Sequence, residues 1–293
     1  MSVLGVAAPP LRPRPLWRRI VGQPSGAIAA GIVLVLVLAA LLAPWLAPFD
    51  PTRMAAGRPL TAPGLAHPFG TDELGRDVLS RILFGARLTL QIGAIAVGIS
   101  LVAGLALGLA AAYARGWVEA LVMRSVDVLF SFTETLIALA FVAVLGPSLT
   151  NAMVAVGVAG IPFYARTAYA AALGETAKPY FEGAVAAGAG PARLIGLHLM
   201  PNVMPTMIVV ATLGLSNAIL AAAALSFLGL GAQPPTPEWG YMLSAGRDFF
   251  SRAPWLMLVP GLAIALTVLA FNLAGDALRE ALDPRSEGRG GAR

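Results

Sequence analysis

The side chains able to do chemistry are few and far apart. There is no cysteine, and His67 and His198 are the two histidines. That excludes a thiolate metal site, a cysteine nucleophile and a disulfide framework. Neither histidine sits in an H-E-x-x-H arrangement, so no metal ligands are expected. A nucleotidase of the usual kind needs G-x-x-x-x-G-K-[ST], whose backbone N–H groups and lysine hold the phosphates. The single lysine, Lys178, follows Ala177, so that motif is absent and no ATP or other cofactor is expected on this chain. No Ser/His/Asp or His/Asp grouping suggests a catalytic centre, so an enzyme is not expected. One carboxylate stands out: Glu134, flanked by Thr133 and Thr135 within an apolar run. A charge at bilayer depth is costly, so such a residue either lines a path or bonds to a neighbouring helix. Both readings stand at this point; Glu134 and Thr133 are the candidates for a path.

The elements that must hold these residues are membrane helices. The chain is 58% hydrophobic and 12% charged, with mean hydropathy +0.78. A soluble chain carries about 25% charged residues, so too little polar surface is left to face water. The net charge is +5 with pI about 10.2, but the cations are nearly all Arg and lie between apolar runs. Topology signalling explains them; clustered stripes on a soluble fold, as nucleic acid would need, are missing.

A crossing takes about 20 apolar residues, and about six such runs follow one another: 26–47, 88–112, 126–145, 149–171, 206–228 and 255–274. The organisation expected is an N-terminal cytoplasmic tail over 1–25, a first transmembrane helix over 26–48 and a periplasmic loop over 49–87. A five-helix core over 88–277 with a cytoplasmic loop at 172–205 follows, and then a cytoplasmic tail over 278–293. The first run is too long for a signal-peptide core and ends in Pro44, Pro48 and Pro51, so it reads as an uncleaved anchor. Arg12, Arg14, Arg18 and Arg19, the Arg115/Arg124 connection, the Lys178/Arg193 loop and Arg279, Arg285 and Arg289 all fall on one side. Arg53, Arg58 and Arg76 fall on the other with Asp50, Asp72, Glu73 and Asp77, which gives N-in, C-in. Gly93, Gly98, Gly104 and Gly108, and Ala221 to Ala224, are small residues suited to close helix packing in lipid. Asn217 and Asn272 are expected to bond between helices, and Asp127 and Asp276 to sit at cytoplasmic span ends.

The cytoplasmic loop is far longer than the handful of residues that joins packed helices. Pro179 suits a first helical turn, a helix follows over 180–187, and Gly188 and Gly190 permit a left-handed stop. Pro191 then starts a second helix that Pro201 is expected to end. The product is a compact knob with small residues on one side and Glu182 and Arg193 as charges. It suits a partner's groove, and equally a hairpin lying on lipid headgroups.

Glu182-Gly183-Ala184, Gly188 and Leu199-Met200-Pro201 resemble the EAA loop of ABC-importer permeases, E-A-A-x(3)-G-x(9)-I-x-L-P. Gly183 replaces the usual Ala, which lowers helix propensity by about 1 kcal/mol. A second resemblance, to the C-type permeases of dipeptide, oligopeptide and nickel importers, lies in the segment from His67 to Arg81 with Gly70, Asp72, Gly75, Arg76 and Asp77. It extends to Ala224-Leu225-Ser226-Phe227-Leu228-Gly229-Leu230-Gly231 and Gln233-Pro234-Pro235-Thr236-Pro237-Glu238-Trp239-Gly240. The family often has Pro where Thr133 stands.

The resemblance implies an all-α polytopic fold of the ABC type I importer permease kind in a bacterial inner membrane. It further implies a homologous B-type permease completing the pore, cytoplasmic ABC ATPases carrying ATP and Mg, and a periplasmic substrate-binding protein. Glu182, Gly183, Ala184, Gly188, Arg193 and Pro201 would then press into the ATPase. Peptides are the expected cargo, with nickel complexes and glutathione as alternatives. An ATP-independent channel or secondary transporter is the more distant alternative, and leaves the long Gly-turned loop unexplained. On residue chemistry alone, the 67–81 segment reads as a rigid brace rather than a substrate contact. Thr71 or Asp72 would cap a helix, with Asp77 and Arg81 paired at i, i+4.

Overall fold

The computed structural model describes residues 22–282, which are helical apart from their loops and one isolated bridge between Thr71 and Asp77. The helices are α1 Pro24–Leu46, α2 Val78–Ala114, α3 Gly116–Phe130, α4 Glu134–Leu145 and α5 Leu149–Thr176. Then come α6 Pro179–Ala186, α7 Pro191–Phe227, α8 Trp239–Gly246 and α9 Trp255–Leu282. The N-terminal arginines, and Arg285 and Arg289, lie outside the described residues.

Helices α1, α2, α7 and α9 are each long and apolar enough to cross a membrane, and α3 with α4 is so only as a pair, bent by 90°, in the manner of a broken span or a re-entrant loop. Helix α5 has the length, 28 residues, but Pro162, Tyr164, Arg166 and Tyr169 dilute its apolar character. Among the described residues four helices, or five spans with the bent pair, are thus long and apolar enough to cross, against the six expected. The expectation of one straight helix over 126–145 is corrected by the bend. Thr133 is extended, at φ −68° and ψ 142°, and α4 starts anew at Glu134. Ser131, Thr133 and an acidic first turn are a helix-start signal hidden inside an apolar run.

Helix α2 begins well before position 88. Arg81 and Arg87 make its first turns read as loop by hydropathy, yet Asp77 caps it, accepting from the Ser80 N–H at 2.8 Å. Inward, α2 packs on α5 through small residues. A Cβ on Gly104 would lie 2.5 Å from the Tyr164 Cβ, and one on Gly108 2.6 Å from the Ala165 carbonyl oxygen. Of the expected packing glycines, Gly98 faces open space. Two serines bond between helices, Ser100 Oγ to the Gly157 oxygen at 2.6 Å and Ser216 Oγ to the Val268 oxygen at 3.1 Å. Asn217 and Asn272 make no side-chain hydrogen bond among the described residues, against expectation. A serine lies close enough to its helix to reach a neighbouring carbonyl, while Asn217 points to an open face.

One hydrophobic core joins α2, α5 and α7, and a second lies under α8 around Val78, Trp239, Met242 and Leu256. Outward, Leu258, Leu262, Leu266 and Leu269 form an exposed stripe on α9 at helical spacing. Hydrocarbon is the solvent such a stripe suits.

Candidate coupling loop and translocation face

Helix α6 is a short element with one side anchored and the other free. Lys178 precedes it, Pro179 opens it, and Gly188 at φ +78° closes it. The Gly188 N–H donates to the Val185 oxygen at 3.0 Å and the Ala189 N–H to the Ala184 oxygen at 3.1 Å, the paired bonds of a Schellman stop. Gly190 is not left-handed; it is extended, at φ −73° and ψ 166°, and leads into Pro191. Phe181 is buried, as are Leu194, Leu199 and Val203, and these four seat the loop in the inner core. No signal in the linear pattern marked Phe181 as the anchor, because a single aromatic in eight residues sets no period. Glu182, Gly183, Gly188, Arg193 and Pro201 are exposed, and Ala184 is half-buried. A Cβ on Gly183 or Gly188 would meet nothing within 4 Å.

Pro201 does not end the second helix; α7 runs through Pro201 and Pro205 to Phe227. The turn before it, Leu194–Leu199, is π-helical. A widened turn leaves room for a proline ring that would otherwise collide with the carbonyl four residues back.

A polar network ties α6 to both long helices beside it. Lys178 Nζ donates to Glu175 Oε1 at 2.6 Å, and the Tyr180 hydroxyl donates to Glu175 Oε2 at 2.6 Å. Asn202 Nδ2 donates to the Tyr180 oxygen at 3.3 Å and to the His198 carbonyl at 2.7 Å. Desolvation and the bond to Glu175 push the Tyr180 hydroxyl up to about 12, so it stays a donor. Glu175, Tyr180 and Asn202 were missed in the sequence because their partners are brought together only by the fold.

The α3–α4 corner carries the other candidate pair. Thr133 is the residue before α4, with no side-chain cap bond, and Glu134 lies in the first turn, where the helix dipole favours a carboxylate. Glu134 is exposed on a face of this chain and lines a cavity of about 160 Å³ with Phe130, Phe132, Ile137, Phe163 and Asn217. Further along α3 and α5 lies a second polar layer. Arg166 pairs with Asp127 and stands over the Phe130 ring at 4.9 Å, and the Tyr169 hydroxyl donates to Glu119. Asp127 is in an inter-helix ion pair with Arg166, and Asp276 is exposed near the end of α9.

The 67–81 segment folds as a buried brace. Asp72, Arg76, Asp77 and Arg81 are all at most 5% exposed. Asp72 accepts from the Leu74 and Arg76 N–H groups at 2.9 Å and from Arg76 Nε at 2.6 Å. His67 Nδ1 meets Asp77 Oδ1 at 2.9 Å. The expected Asp77–Arg81 pair is not formed. Asp77 is consumed by capping and by His67, while Arg81 turns to Asp72 at 3.7 Å and to the Pro51 carbonyl at 3.0 Å. The N-cap is likewise Asp77, not Thr71 or Asp72. Gly70 and Gly75 are left-handed, at φ +74° and +71°, and a Cβ on Gly75 would fall 2.4 Å from the Gly57 oxygen.

Residues 104–288 match the family described as binding-protein-dependent transport system inner membrane component, and residues 14–63 match the N-terminal TM domain of oligopeptide transport permease C. The chain is 48% identical over 259 residues to a di/tripeptide transport system permease protein of Pseudomonas aeruginosa, covering 86% of each. It is 43% identical over 270 residues to a dipeptide transport system permease of Haemophilus influenzae, covering 90% of this chain and 92% of that one. A glutathione transport system permease of Escherichia coli O157:H7 is 44% identical over 273 residues, covering 93% and 90%. Among solved structures, an inward-facing MetNI methionine ABC transporter chain superposes with TM-score 0.58 at 21% identity, covering 69% of this chain and 97% of that one, which shows the fold. A buried brace, a helix pair bent at Thr133 and an anchored loop with a bare outer face thus belong to a permease of the inner membrane: the chain is a member of the binding-protein-dependent transport system inner membrane component family, an ABC-importer permease of the oligopeptide permease C type.

Proposed function

We propose that this permease carries di- and oligopeptides into the cell as one half of a pore whose other half is a homologous B-type permease. A periplasmic binding protein delivers the cargo, and cytoplasmic ABC ATPases, holding the ATP and Mg, drive the cycle. This chain itself binds no nucleotide and catalyses no reaction. Glu182, Gly183, Ala184, Gly188, Arg193 and Pro201 dock on an ATPase, and Glu134 with Thr133 faces the path. The 67–81 brace stiffens the periplasmic side. Both termini lie in the cytoplasm, as the positions of Arg115, Arg124, Lys178, Arg193 and Arg279 support.

The observation that carries this reading is the two-sidedness of the 178–199 loop. Phe181 and Leu194 are 7% and 3% exposed, while a Cβ added at Gly183 or Gly188 on the outer face would meet nothing within 4 Å among the described residues. A surface that small and bare suits a partner's groove, and the bond network from Tyr180 passes a push on α6 to α5 and α7. The peptide cargo is supported by the di/tripeptide and dipeptide relatives. The glutathione relative at similar identity keeps that tripeptide within the cargo class.

The test is Gly188→Asp in the complete importer. Nothing in this chain opposes a side chain there beyond the left-handed backbone, which Asp tolerates better than most residues. The permease is therefore expected to fold and insert while binding-protein-stimulated ATP hydrolysis and uptake are lost. Normal stimulation and uptake in that variant would refute the docking role.

A further inference from the structure

Within the peptide-importer reading, we infer that Glu134 and Asn217, backed by the hydroxyl of Tyr164, form a receiving site for the α-ammonium group of the transported peptide. Three helices bring these groups together: Glu134 opens α4, Tyr164 lies on α5 and Asn217 on α7.

The carboxylates of the neighbouring polar layer are occupied, Asp127 by Arg166 and Glu119 by Tyr169. Glu134 has no hydrogen bond or ion pair among the described residues. It is the acceptor left over on this face. A carboxylate at bilayer depth without a partner is costly, so its presence points to a cation that comes and goes.

The cavity beside it supplies the shape. At about 160 Å³ it exceeds the ~15 Å³ a single water needs, and it takes an ammonium with the first carbon of its chain. Its walls include Phe130, Phe132 and Phe163, which lower the local dielectric and present ring faces that attract cations. An ammonium offers three donors; the Glu134 oxygens and the Asn217 amide oxygen are the acceptors lining the cavity.

Tyr164 stands one layer behind. It is 4% exposed, its hydroxyl has no hydrogen-bond partner, and it lies in electrostatic reach of Glu134. That hydroxyl rests against Gly214, one turn from Asn217, where even a Cβ would collide with it. A spare donor near the carboxylate competes with the bound ammonium, so the site holds its ligand weakly enough to release it, as a path requires.

The experiment uses the complete importer in proteoliposomes, with dialanine as the probe and uptake and binding-protein-stimulated ATP hydrolysis read together. Glu134→Gln keeps size and removes charge. It is expected to lower dialanine uptake about tenfold or more, the loss of one charge-assisted contact, with stimulated ATP hydrolysis within about twofold of the parent. Glu134→Asp keeps the charge and is expected to retain most of the uptake. Unchanged uptake in Glu134→Gln overturns the site while leaving the peptide reading intact. Equal loss of uptake and ATP hydrolysis in both variants also overturns it, in favour of a structural role. Failure of the parent importer to accumulate dialanine overturns the peptide reading, and the site with it.

Discussion

At the scale of single residues, buried charge in the 67–81 brace is answered group by group. Asp77 is fully buried and serves the Ser80 N–H at 2.8 Å, the Ser80 hydroxyl at 2.7 Å and His67 at 2.9 Å. Losing a helix cap costs about 0.5–2 kcal/mol, and stranding buried polar groups adds about 1–3 kcal/mol. Asp77→Ala is therefore expected to destabilise the permease by about 2–4 kcal/mol, and Asp77→Asn, which keeps an oxygen acceptor, by distinctly less. Thermal unfolding of the detergent-solubilised protein checks the order; an equal drop for both would show that the charge, not the acceptor, matters. Glu238 is a related case in the loop before α8. Burial pushes its carboxyl up, while the Gly240 and Tyr241 N–H groups, at 2.9 and 2.8 Å, pull the other way and use it as a cap.

At the scale of elements, the eight-residue helix α6 is too short to be stable alone, since isolated helices under about 12 residues are marginal. Its order comes from Phe181 in the inner core and from Tyr180 bonded to Glu175. Phe→Ala in a core costs about 3–5 kcal/mol, and here that loss falls mainly on the docking of one small element. Phe181→Ala is thus expected to speed amide exchange across 179–199 while the long helices stay protected. Binding-protein-stimulated ATP hydrolysis should fall as well. Faster exchange spread over α2 and α5 would instead mean that Phe181 supports the whole bundle. The α3–α4 corner shows the opposite balance: Glu134 is set by a local break at Thr133, and the break places it on a face rather than inside a helix pair.

At the scale of the whole molecule, the bundle carries two specialised regions, the buried 67–81 brace and the exposed face of α6. The brace links chain segments far apart in sequence, with Trp255 Nε1 donating to the Thr71 carbonyl at 3.2 Å and Trp239 Nε1 to the Ile82 carbonyl at 3.1 Å. The proposed orientation puts the two in different compartments. A chain without cysteine allows clean single-site labelling. A membrane-impermeant maleimide is expected to reach Gly64→Cys from outside intact cells, and Gly183→Cys only after permeabilisation. Labelling of Gly183→Cys from outside would reverse the topology and remove the cytoplasmic docking surface.

The sequence by itself determined the class of this protein. Low charge and long apolar runs allow no solvent but lipid, and Lys178 stands outside any P-loop motif. Glu182, Gly188 and Pro201 in register, with the segment from His67 to Arg81, pointed to the family. These signals survive in one dimension because they depend on composition and on fixed spacing. What only the tertiary structure decided are matters of partnership and direction. Asp77 spends its carboxylate on Ser80 and His67, so Arg81 turns to Asp72. Pro201 passes inside a helix because a π turn makes room. Phe181 is the anchor of its loop, and the third span is bent, which leaves Glu134 beside a cavity without a partner. Each depends on which atoms approach from elements distant in sequence, and spacing along the chain does not encode that.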